Sequence, residues 1–134
     1  MTSTLKSATL TVRISEEITL NGTVKGSKTK QEISSINEIA ERIVTTLTTG
    51  TTVLNLGTAA GPGCFILNIV KYIRITNLDD TNYVRLALIT DAGGAPAAHI
   101  KIPAQDSFIL STGLAAAEAD SDAVTLDNIT SIKA

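Results

Sequence analysis

The sequence predicts an all-β sandwich or barrel, and three observations lead there. The 134-residue chain is 43% hydrophobic but only 3% aromatic, and rich in Thr, Ile, Val and Leu; β-branched side chains are stiff and pack well on a pleated face. Apolar residues alternate with polar ones in several short stretches, the pattern of half-buried strands. Gly, Pro, Asn and Asp turns separate those stretches at short spacing. No fixed repeat or linker interrupts the chain. The reading is one domain over residues 1–134, with an N-terminal strand and ribbon region at 1–50 and the main strands at 51–134. A chain of this size buries roughly 68–70% of its unfolded surface, enough for a core without disulfide or metal.

The first element lies in "ATLTVRISEEITLNG", where Leu10, Val12, Ile14, Ile18 and Leu20 hold even positions and Glu16 is the polar intruder. Asn21-Gly22 supplies the two left-handed residues of a tight hairpin turn. The return segment "TVKGSKTKQE" carries Lys25, Lys28 and Lys30 with little apolar content, so it reads as an exposed edge or ribbon. In "QEISSINEIAERIVTTL", Ile36, Ile39, Ile43 and Leu47 have helical spacing, and Ser35 with Glu38 could form a capping box. Ile39, Ile43 and Leu47 are equally in phase for a strand, and the Thr-rich sequence beyond favours the strand over a short helix. Strands follow at "TTVLNLG", "FILNIVKYIRITN", "YVRLALIT", "AAHIKIP" and "SFILS". The tail alternates Val124, Leu126 and then Ile129, Ile132, which requires a slip or bulge in the closing strand.

The stretch "YIRITNLDDTNYVRLALI" reads as a hairpin with its corner in "LDDT". An even register sets Ile75 opposite Val84 and Ile73 opposite Leu86 on one apolar face, whereas a one-residue slip would turn one arm inside out. That register puts Arg74 opposite Arg85, with Tyr72 and Tyr83 on the same outward face. Like charges directly opposite are destabilising. Either both guanidiniums splay into water, or a partner carboxylate or phosphate bridges them. Asp79 and Asp80 serve the turn and stand exposed for a cation of another subunit. The candidate interface is therefore Arg74, Arg85, Tyr72, Tyr83, Asp79 and Asp80, with Lys25, Lys28 and Lys30 on the ribbon.

Catalytic chemistry has few residues to draw on. His99 is the only histidine, and its phase with Lys101 in "AHIKIP" makes it solvent-facing. Cys64 is the only cysteine, which excludes an intrachain disulfide or a cysteine-cluster zinc site. A free Cys before an apolar strand reads as a small buried hydrophobe, and no local signature marks a Cys–His nucleophilic pair. "EADSDAVTLDN" lacks the central Gly and terminal Glu of a calcium loop, and "GTAAGPGC" has its glycines in the wrong order for a dinucleotide loop. The reading is no enzyme, no cofactor and no metal. Net charge is −2 with a pI near 5.3, which speaks against a dedicated nucleic-acid binder. No apolar run reaches the length of a membrane span and no signal core opens the chain, so a soluble protein made in the cytoplasm is expected.

"VKYIRITNLDDTNYVRLALI", then "HIKIPAQDSFIL" and the terminal "DSDAVTLDNITSIKA", resemble small virion structural proteins of tailed bacteriophages over roughly residues 70–134. The resemblance implies a β-sandwich of jelly-roll type with an extended N-terminal hairpin. It implies a capsid decoration (cement) protein on the capsid surface, with the major capsid protein and copies of itself, as dimer or trimer, for partners. It implies no nucleic-acid or membrane partner. Gln105 stands where such proteins carry Gly in the corner. Alternatives of other classes are a neck or tail connector, a fibre-associated structural protein, and a host-surface carbohydrate-binding module that would use exposed tyrosines.

Overall fold

The computed structural model describes residues 6–57, 61, 64–66, 69–90, 96–111, 116–117 and 127–134. Among them the chain is all-β, with twelve strands and no α-helix. It divides into two compact units, Met1–Arg42 and Ile43–Ala134.

The first unit is one long antiparallel ribbon, interrupted once. β1 (Ala8–Ser15) pairs with β4 (Lys28–Ile36), and β2 (Ile18–Leu20) with β3 (Thr23–Lys25). Asn21 (φ 50°) and Gly22 (φ 77°) make the turn as the sequence predicts. The interruption falls at Glu16, the polar residue in the apolar series. There the Glu16 amide donates to the Ser27 carbonyl at 2.8 Å, and the Ser27 hydroxyl to the Glu16 carboxylate at 3.2 Å. Gly26 allows this approach, since a Cβ on it would lie 1.9 Å from the Glu16 carbonyl oxygen. Ser35 (φ 59°) accommodates an extra residue of β4 between the Ala8–Ile36 and Leu10–Ile33 pairs. It is a bulge residue and caps no helix. Strand β4 ends at Ile36, and residues 37–47 are neither strand nor helix. Ile39, Ile43 and Leu47 are 70–84% exposed, so their shared spacing serves neither periodicity.

The second unit holds a six-stranded sheet in the order β6-β5-β12-β8-β9, with β11 also on β12. Its strands are β5 (Thr52–Gly57), β6 (Cys64–Ile66), β8 (Val84–Thr90), β9 (Pro96–Ile102), β11 (Ala116–Ala117) and β12 (Asp127–Lys133). A separate pair joins β7 (Tyr72–Thr76) to β10 (Ser107–Ser111). The core is Leu54, Leu56, Leu86, Leu88, Ile102, Ile129 and Ile132, and Ile73, Ile75, Phe108 and Leu110 of the two-stranded sheet pack against it. The slip predicted in the closing strand occurs at Thr130, between the Ile129–Thr90 and Ser131–Ile89 pairs, and it lets both Ile129 and Ile132 be buried. Val124 and Leu126 lie outside the described residues.

Two expectations need correction. "FILNIVKYIRITN" contains two strands in different sheets: β6 runs parallel to β5, and β7 pairs with β10. The hairpin expected between β7 and β8 does not form either, since β8 pairs with β9 and β12. The physical reason is burial. Side by side, the arms would share one apolar face; in separate sheets, Ile73 and Ile75 meet the same cluster that contains Leu86.

Candidate functional site

The site is built at the corner that parts those arms. Asn77, 6% exposed, follows directly on β7 and ties three carbonyls together. Its Nδ2 donates to Asn82 O at 2.8 Å, Pro103 O at 3.1 Å and Ile102 O at 3.3 Å. Its backbone amide donates to Asp106 O at 2.9 Å, so the β7–β8 corner is stitched to the β9–β10 corner. Gln105 completes the seam: its amide donates to Asp79 O, and its Nε2 to Leu78 O at 3.0 Å and Asp79 O at 2.9 Å. Gln105 has φ 63°, a left-handed geometry that Gly adopts more freely, and its side chain supplies bonds that Gly could not.

Asp79 caps the turn from inside. Its Oδ1 accepts from the amides of Asn82 (2.7 Å) and Thr81 (2.8 Å). Those bonds, with a weaker one from the Asn82 side chain, hold its carboxyl below the ordinary 3.8. Asp80 accepts from the Thr81 hydroxyl, and Asp79, Asp80 and Asp106 all face solvent. This corner is an acidic knob.

A basic face begins where the knob ends. Along β8, Arg85 lies opposite Lys101 of β9, and Ala87 lies between His99 of β9 and Lys133 of β12. Arg85, His99, Lys101 and Lys133 are all exposed. Lys101 Nζ sits 4.6 Å from the centroid of the Tyr83 ring, a cation–π contact beside a tyrosine that is 60% exposed. No carboxylate pairs with Arg85, Lys101 or Lys133 among the described residues.

The expected interface residues therefore divide. Arg74 does not face Arg85; it lies opposite Ile109 on β10, and the like-charged neighbour of Arg85 is Lys101. Tyr72 lies opposite Ser111 in the two-stranded sheet, whereas Tyr83 precedes β8 of the six-stranded sheet, so the two are not cross-strand neighbours. Asp79 and Asp80 hold the turn as the sequence predicts. On the ribbon, Lys28 lies opposite Ser15, Lys30 opposite Arg13, and Lys25 opposite Ile18. Arg13, Ile14, Ser15, Lys28, Thr29 and Lys30 line a shallow hollow of about 330 Å³.

No family model, curated protein or solved structure matches this chain.

His99 is exposed as its phase predicts, while Cys64 is only half-buried. They stand on opposite edge strands of the six-stranded sheet, four spacings of roughly 4.8 Å apart, so about 19 Å separates a nucleophile from its base. No group of three or more His, Cys, Asp or Glu among the described residues could hold a metal ion. Glu118, Asp120 and Asp122 of the acidic stretch lie outside them. Among the described residues no helix is long and apolar enough to cross a membrane. Sequence reasoning missed Lys101 and Lys133 as members of the basic face. Their signal was parity: pairing "VRLALIT" with "AAHIKIP" across the Gly/Ala loop puts Lys101 on the Arg85 face at once.

Proposed function

We propose that this chain is a structural virion protein of a tailed phage, a capsid decoration protein that bridges neighbouring major capsid subunits. The observation that carries the reading is the ribbon of residues 8–36. Ile18, Leu20 and Val24 are 61–62% exposed on it, and a two-stranded ribbon is marginal in water on its own. Exposed apolar surface and open strand edges mark a segment that another protein covers or extends. The second unit adds a compact scaffold. Its strands β7–β8 and β9–β10 pair as one long hairpin folded over at two stitched corners, which supports the reading of a jelly-roll sandwich. The resemblance of residues 70–134 to phage virion proteins supplies the setting.

The test is copy number per particle, read from quantified purified virions with and without the gene. Many copies in fixed ratio to the major capsid protein, with a shell that breaks more readily after deletion, are expected. A few copies at the neck or tail would make it a connector, and absence from particles would overturn the reading.

A further inference from the structure

The acidic knob and the basic face of the second unit adjoin. Asp79 accepts from the amide of Asn82, the next residue is Tyr83, and the Tyr83 ring carries the Lys101 ammonium, opposite Arg85. Adjacent patches of opposite sign are self-complementary about a two-fold axis, because each patch of one copy then meets the other patch of its mate. We propose that a second copy of this chain covers this surface, the knob of each copy (Asp79, Asp80, Asp106) lying against Arg85 and Lys101 of the other.

Three observations favour that occupant. Arg85 faces Lys101 directly, a repulsive pair with no carboxylate beside it among the described residues, and an incoming carboxylate relieves it. The knob is built for projection, since backbone amides and Gln105 fix it while its carboxylates face solvent. Leu78, 64% exposed, and Tyr83 give the contact two apolar anchors, without which exposed ion pairs are worth little. A nucleic-acid backbone fits poorly: three cations displace few counterions, and the chain as a whole is at −2. The contact concerns the free chain and does not depend on a place in a particle.

Sedimentation equilibrium of the purified chain over a concentration series tests it. A monomer–dimer equilibrium is expected at low salt, weakened at least about tenfold near 1 M salt, where the Debye length is about 3 Å. The double variants Arg85→Glu/Lys101→Glu and Asp80→Lys/Asp106→Lys should each be monomeric while keeping the wild-type circular dichroism. Mixed together they should form a heterodimer, because the two reversals complement each other. Wild-type chain that stays monomeric throughout, or dimers that survive both reversals, would overturn the proposal. So would a monomer that captures polyglutamate or duplex DNA through Arg85 and Lys101, since the face would then belong to a foreign partner.

Discussion

Two bends in this chain look alike in sequence and behave differently. "TLNGTV" and "ITNLDDTNYV" both place Asn-rich polar residues between alternating apolar arms. The first is a hairpin, with Leu20 paired to Thr23 across Asn21-Gly22. The second sends its arms into separate sheets. The difference lies in where the left-handed residues fall. Asn21 and Gly22 both have positive φ, which matches the twist of two paired strands. Residues 77–83 contain none; the left-handed residue of that region is Gln105, in the companion corner. Alternation alone says which residues share a face, and turn chemistry says whether the two arms share a sheet.

The comparison can be broken at its strongest point first. Asn77→Ala removes the donor that ties three carbonyls and the acceptor of the Asp79 amide. Urea unfolding should show a loss of about 1–3 kcal/mol, the cost of buried groups left without partners. Gln105 separates strain from bonding. Gln105→Ala keeps the left-handed backbone and loses both side-chain bonds, so a loss of about 1–2 kcal/mol is expected. Gln105→Gly loses the same bonds but removes roughly 1 kcal/mol of backbone strain, so it should be the milder change in the same experiment.

At the ribbon turn, Gly22→Ala meets open space, so its cost is the left-handed φ alone, about 1 kcal/mol. Amide exchange in β2 and β3 should quicken about fivefold. The smallest effect is the pH response of Asp79. Its carboxyl is held below 3.8 in the fold, so its contribution is complete above that value and is lost as pH falls through the lowered one. Asp79→Asn should flatten the stability profile below about pH 4 and leave its shape at neutral pH unchanged.

Much of the fold was legible in the sequence, and its main failure has a non-local cause. The Asn21-Gly22 turn, the slip near Ile129 and the outward phase of His99 followed from local rules, because each depends on residues close in sequence. The sheet membership of β7 and β8 depends on Asn77 reaching Ile102 and Pro103, about twenty-five positions away, and no local pattern encodes that reach. The candidate site inherits that dependence: local parity opposes Arg74 to Arg85, whereas the fold opposes Lys101 to Arg85 and Ile109 to Arg74. Residues 37–47 failed differently. Their spacing satisfied two periodicities, and neither is realised.

The parting of β7 from β8 is the claim on which the basic face rests, and paired cysteines in a Cys64→Ser background test it directly. Directly opposed residues on antiparallel strands have Cα atoms about 4.5–5.5 Å apart, within disulfide reach. Arg85→Cys with Lys101→Cys should oxidise readily within one chain, and Arg74→Cys with Arg85→Cys should stay reduced. A disulfide between positions 74 and 85, with none between 85 and 101, would restore the simple hairpin and contradict the account.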